Sequence, residues 1–292
     1  MKKRIISGVV MGAIVVLILI LGLNVSNLII NVFIALIAAL GAVELVCNAA
    51  KVDNIIFKIL TAVYAAAEVL IMSRWLDQVL GMNVMLRGDA SAIEIDTSDI
   101  YMPIIAAMVT VVYFVVCAVL ILVKQTDFDL AKIVTLCTMP TVLAFAFSTI
   151  GSIVTAYNGI YYLLLILNFS SVCDMGAYFV GVSMGKTKLC PTISPNKTVE
   201  GALGGIVSSV IVTLIITLCF GYFDKILPTL LLTVPLCAAG MAGDLFASII
   251  KRKVGIKDYG NLIPGHGGVL DRVDSIIFIS PLVFCLLFLG VI

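Results

Sequence analysis

Charge is what this sequence has least of. Only 12% of its 292 residues are Asp, Glu, Lys or Arg, against about 25% in a soluble globular domain. Histidine occurs once, at His266, and none of the eight cysteines forms a CxxC pair. The single histidine and scattered thiols exclude a zinc centre, which needs clustered nitrogen and sulfur ligands. They equally exclude a disulfide framework, which needs thiols in loops rather than inside apolar runs. No A-x-A-like site follows the apolar stretch 5–23, so it reads as a retained signal-anchor helix and not a cleaved leader. No internal repeat is visible.

What fills the space is apolar: 62% of residues are hydrophobic and the mean hydropathy is +1.22. The chain therefore reads as an all-α polytopic membrane protein. Runs near 5–23, 28–49, 55–73, 102–123, 133–151, 159–182, 203–223, 226–247 and 274–292 are each long enough for about 20 residues of spanning helix, which predicts nine transmembrane helices. With the N-terminus in the cytoplasm, fifteen of the 18 Lys and Arg residues fall in cytoplasmic segments, as the positive-inside rule requires. Arg74, Arg87 and Lys225 are the exceptions. The outer segment 73–101 reads as a solvated acidic loop. Few polar groups lie inside the early spans and many inside the later ones. That asymmetry predicts scaffold helices over 1–157 and a catalytic half over 158–292, with cytoplasmic loops 183–202 and 248–275.

The polar residues gather in two places. The stretch 243–275 carries Lys251, Arg252, Lys253, Lys257 and Arg272 beside Asp244, Asp258, Asp271 and Asp274, with His266 inside a Gly-His-Gly-Gly run. On a helix, Asp271 and Asp274 share one face. Carboxylates so placed suit Mg²⁺, which completes its shell with substrate phosphates. The basic side chains can neutralise phosphate oxygens, and Gly267 and Gly268 allow backbone amides to approach an anion. His266 is open to three roles: phosphate donor, proton carrier, or loop cap. The second place is 170–201. Ser170, Asp174, Ala177, Gly181 and Gly185 form one small helix face. Asp174 is an intramembrane carboxylate that packing alone does not require. Ser194 and Pro195 predict a helix N-cap and first turn, an anion-binding terminus to which Lys197 and Thr198 add donors. Glu44 and Glu68 are two more carboxylates inside spans, facing either a pocket or the bundle interior.

These two regions resemble the phosphatidate cytidylyltransferase (CDP-diacylglycerol synthase) family. The first carries S-x-x-K-R…K-D…P-G-H-G-G-x-x-D-R-x-D from Ser248 to Asp274. The second carries D-x-G-A-Y…G…G-K…S-P-x-K-T-x-E-G from Asp174 to Gly201. The resemblance implies transfer of CMP from CTP to phosphatidic acid, with pyrophosphate released, at a site facing the cytoplasm from a bacterial inner membrane. It implies a metal centre on Asp244, Asp271 and Asp274, holding Mg²⁺ with a second, monovalent ion such as K⁺ as an option. Lys251, Arg252, Lys257, His266 and Arg272 would surround the phosphates. Ser194, Lys197, Thr198, Glu200, Asp174, Gly267 and Gly268 would contact substrate. Partners would be CTP, phosphatidic acid and the bilayer, with no nucleic acid; a homodimer is left open. Asn196 stands where many relatives have lysine, and Val182 where a basic residue is frequent. The alternative reading is an ion-coupled secondary transporter using the intramembrane carboxylates. Its expected paired, broken helices in two related halves are not found.

Overall fold

The computed structural model describes residues 2–86, 101–124, 130–263 and 267–292. It is helical almost throughout. In order come α1 (Lys2–Asn24), α2 (Asn27–Glu44), α3 (Ile55–Leu86), α4 (Met102–Lys124), α5 (Leu130–Thr155), α6 (Gly159–Leu167) and α7 (Cys173–Met184). After them come α8 (Val199–Cys219), α9 (Ile226–Val254) and α10 (Leu270–Phe288). A π-helical turn, Leu45–Ala49, extends α2, and a second, Asn168–Val172, joins α6 to α7. Seven of the described helical stretches are long and apolar enough to cross a membrane, running from Asn27–Ala49 to Phe223–Val254. The nine expected apolar runs fall largely on helices, with 159–182 divided over α6, the π-turn and α7 and 203–223 running past the end of α8. The run at 274–292 falls largely on α10, whose first turn bears Asp271, Arg272 and Asp274.

Two compact units are built from this chain, one of residues 1–156 with 258–272, the other of 157–257 with 273–292. In the first, α2, α3 and α5 pack together. The buried face of α2 is Ile30, Asn31, Ile34, Ala35, Ala38, Gly41 and Ala42. Its small residues let helix backbones approach, the usual solution where the surrounding lipid gives no hydrophobic drive. Tyr64 of α3 stacks on Tyr113 of α4 with ring centroids 4.0 Å apart. Each buried hydroxyl is satisfied: Tyr64 donates to Thr141 Oγ1 at 2.9 Å and Tyr113 to the Leu136 carbonyl at 2.7 Å.

Residues 74–86, expected to belong to a solvated loop, continue α3, and within it Asp77 accepts from Thr155 Oγ1 of α5 at 3.0 Å. Residues 87–100 lie outside the described part of the chain.

In the second unit α8 is the axis. Its buried positions are Gly201, Gly205, Ser209, Thr213 and Thr217, a strict four-residue stripe. The glycine end meets α7, and the hydroxyl end meets the π-turn and α9. Asn168 donates to the Ser209 carbonyl (3.1 Å) and Thr213 Oγ1 (2.9 Å), and Thr213 and Thr233 share a hydrogen bond at 3.1 Å.

A hairpin of β1 (Lys188–Cys190) and β2 (Ser194–Thr198), paired antiparallel with Lys188 opposite Thr198, departs from the all-helical reading. It corrects the expected cap. Ser194 begins a strand and does not open a helix; the N-cap of α8 is Thr198, with φ −123° and ψ 154°. The extended conformation persists four residues further because the chain is held at that end. Val199 N–H donates to the Thr187 carbonyl (3.0 Å). The Glu200 carboxylate accepts from the Lys186 and Thr187 amides at 3.1 Å each.

Candidate functional site

A cavity of about 460 Å³ opens in the second unit between α7, the hairpin and the start of α8. Asp174, Ala177 and Gly181 of α7 and its C-cap Gly185 line it, so four of the five residues of the predicted small face border the cavity, while Ser170 lies in the π-turn. Lys188, Asn196, Lys197 and Thr198 come from the hairpin, and Met241 and Asp244 from α9.

Glycine makes the wall possible. A Cβ built on Gly201 would sit 2.7 Å from the Ala177 carbonyl oxygen and 3.2 Å from Gly181 Cα. The α7 and α8 backbones are therefore in direct contact at the cavity's base. Thr198 Oγ1 closes the turn by accepting from Gly201 N–H at 3.1 Å, which satisfies one of the amides every helix start leaves open.

The charges alternate. Lys197 forms an ion pair with Asp244 Oδ2, both side chains about a quarter exposed at 26%. The Lys197 ammonium is otherwise buried and has no hydrogen bond that satisfies it. Lys251, two turns beyond Asp244 on α9, lies 4.0 Å from Asp274 Oδ2, with side chains 11% and 13% exposed. Asp174, Asp244 and Asp274 are near enough to feel one another's charge. The α9 helix ends on Gly255, left-handed at φ 79°, with Ile256 N–H donating to the Lys251 carbonyl at 2.9 Å and Gly255 N–H to that of Arg252 at 3.2 Å. The last turn thus holds Lys251, Arg252 and Lys253 where the helix dipole favours cations.

The remaining predicted residues are distributed as follows. Arg252, Lys257 and Arg272 are exposed. Ser194 is partly buried at the start of β2. Glu200 is committed to backbone amides, which makes it a tie for the hairpin. Gly267, Gly268 and Asp271 belong to the first unit, where Asp271 Oδ2 accepts from the Tyr259 amide (2.8 Å) and the Gly268 amide (3.0 Å). His266 lies outside the described residues.

Among the described residues, no three His, Cys, Asp or Glu side chains gather closely enough to hold a common ion. The donor chemistry nevertheless suits a hard cation. Asp244 and Asp274 offer carboxylate oxygens, and the Lys197 and Lys251 ammonium groups lie beside them, as positive charge of any kind would. Sequence reasoning missed Lys188, which the antiparallel register carries to the cavity wall. It also left Glu44 without a role.

Residues 2–289 match the model of the Cytidylyltransferase family. The chain belongs to that family. A protein of Staphylococcus saprophyticus named phosphatidate cytidylyltransferase is 44% identical over 133 residues, which is 46% of this chain and 51% of that protein. One of the same name from Bacillus subtilis is 50% identical over 114 residues, 39% of this chain and 42% of that one. The aligned stretches thus span about half the length of the relatives, or less. Lys197, Thr198, Asp174 and Asp244 are the predicted site residues that this cytidylyltransferase-family chain brings to one cavity.

Proposed function

We propose that this chain is a membrane-bound phosphatidate cytidylyltransferase that transfers CMP from CTP to phosphatidic acid. The observation that carries the proposal is the cavity in the second unit. It pairs ammonium groups with carboxylates beside a capped helix start, a combination suited to phosphates and not to an apolar ligand. The names of the bacterial relatives support the same reading.

An oxygen of the phosphatidate phosphomonoester attacks the α-phosphorus of CTP. The bond from that phosphorus to the bridging oxygen breaks, and pyrophosphate leaves with the electron pair. The attacking phosphate is already largely dianionic near neutral pH, since the second ionisation of such a group has a pKa of about 6. No strong general base is needed. The work is positioning and charge neutralisation. Lys197 and Lys188 supply positive charge inside the cavity. Lys251, Arg252, Lys257 and Arg272 supply it around the C-terminal end of α9 and the start of α10. The Thr198 hydroxyl, which accepts from the Gly201 amide, keeps its own O–H to donate to an anion.

Asp244 and Asp274 would offer carboxylate oxygens to Mg²⁺, which when bound screens the repulsion between the two anionic substrates; Asp271, the third ligand that the resemblance implies, is tied through Oδ2 to the Tyr259 and Gly268 amides. A monovalent ion such as K⁺ is a candidate second cation.

The topology that goes with this reading has nine crossings, a cytoplasmic N-terminus, and a reaction at the cytoplasmic face of a bacterial inner membrane. The positive-inside distribution of Lys and Arg supports it. The test is release of pyrophosphate by purified protein given CTP, phosphatidic acid and Mg²⁺ in detergent or bilayer. Turnover dependent on both substrates is expected. Its absence across several divalent ions, in protein that is folded, rejects the proposal.

A further inference from the structure

Glu44 ends α2 and is only 9% exposed. A carboxylate inside an apolar helix is expensive unless something is bound to it. Here the partner is the start of α10, 225 and 226 residues away in sequence. Glu44 Oε1 accepts from the Val269 amide and Oε2 from the Leu270 amide, each at 3.0 Å. One carboxylate thus satisfies two consecutive open N–H groups of a helix terminus, where negative charge is favoured. One turn along, in the π-turn, Asn48 donates its side-chain amide to the Tyr259 carbonyl. The two side chains thus hold Tyr259 at one point and Val269 and Leu270 at another.

The segment is built around that grip. A Cβ on Gly268 would meet the Glu44 carboxyl carbon at 2.8 Å and the Gly260 nitrogen at 2.7 Å; one on Gly260 would meet that same carboxyl carbon at 2.7 Å. Both glycines close directly over the carboxylate. Asp271 then ties the segment internally through the Tyr259 and Gly268 amides. Tyr259 is fixed from both sides, by its N–H and by its carbonyl, and is 2% exposed. Glu44 and Asn48 are four residues apart, which puts them on one helix face, and the π-turn that carries Asn48 is of a kind frequent at functional sites.

We infer that Glu44 is a positioning residue for the proposed cytidylyl transfer: it sets where α10 begins, and so holds Asp271 and Arg272 of its first turn in working orientation. This rests on the function proposed above.

The experiment uses the full chain and two readouts. Amide hydrogen exchange is measured on wild type, Glu44→Gln and Asn48→Ala. Pyrophosphate release is measured on the same samples as kcat and as KM for CTP. Gln keeps the size but can accept at only one atom and turns an NH₂ toward the second amide. Losing one charge-assisted hydrogen bond corresponds to exchange roughly tenfold or more faster over 259–272. Exchange in α3 and α5 is expected to stay unchanged. For Glu44→Gln, kcat is expected to fall at least about tenfold with KM within about twofold, the pattern of an interaction realised in the transition state. Asn48→Ala should give a weaker version of both changes.

Unchanged exchange over 259–272 overturns the inference, as does loss of protection spread over the whole first unit. A raised KM with unaltered kcat overturns it too. Failure of wild type to release pyrophosphate rejects the function alone, since the exchange result still decides whether Glu44 holds the segment.

Discussion

Replacing Gly201 by alanine adds a single methyl group at the base of the cavity. That methyl would lie 2.7 Å from the Ala177 carbonyl oxygen and 2.8 Å from Thr198 Oγ1. The first neighbour is backbone, so no rotamer change can move it aside. The α7 and α8 backbones must separate, or the Thr198 cap must break. Overpacking of this kind costs about 1–3 kcal/mol, and a lost cap about 0.5–2 kcal/mol. Alanine's better helix propensity offsets about 0.5–1 kcal/mol. The net expectation is a loss of about 1–2 kcal/mol, or roughly 2–8 °C in Tm. It should be read by thermal unfolding in detergent beside Gly12→Ala, where an added Cβ has nothing within 4 Å. That control should unfold at or above the wild-type temperature. Thr198, Lys197 and Gly201 share the same wall, so Gly201→Ala should also raise KM for CTP. A Gly201→Ala protein as stable as Gly12→Ala would refute the claim that backbone contact at this glycine shapes the cavity.

Other expectations concern the charges. Lys197→Met should lower kcat/KM for CTP about a hundredfold, the usual effect of removing one preorganised charge partner. It also leaves Asp244 without its ammonium. Adding Asp244→Asn should therefore cost less than the two single changes together, as a double-mutant cycle reports for paired groups. Asp274→Asn and Asp271→Asn should each slow pyrophosphate release by orders of magnitude while the protein still inserts into membranes. Near-normal turnover in either variant removes that residue from the proposed machinery.

The helices were readable from the sequence because apolar runs of spanning length have few other fates. The small face Ala177–Gly181–Gly185 was readable for a similar reason, since spacing alone places it. What escaped notice depends on partners distant in sequence. Glu44 looked like an unexplained carboxylate because its two amides lie beyond residue 268. Ser194-Pro195 carries a helix-start signal as good as that of Thr198. Only the hydrogen bonds from the 186–187 amides to Glu200, and from Val199 to Thr187, decide between them. Lys188 carries no motif of its own and reaches the cavity through strand pairing. The π-turns leave no composition signature at all. Asp174, Lys197, Thr198 and Asp244 line one cavity, although the resemblance grouped Asp244 with Asp271 and Asp274, and Glu200 fastens the hairpin.

The stripe along α8 runs from glycine at the cavity to threonine at its far end. Two chemistries of adhesion therefore share one helix. Near the cavity, backbone touches backbone, and small rotations of α8 are blocked sterically. Farther away, hydroxyls bridge to Asn168 and Thr233. Such bonds add little strength in a bilayer, about 0.6 kcal/mol each on average. Because they are directional, a one-residue slip of α8 would break all of them together. The helix is thus keyed like a shaft: its far end fixes the rotation, and its near end delivers Thr198 and Gly201 to the cavity wall in that single setting.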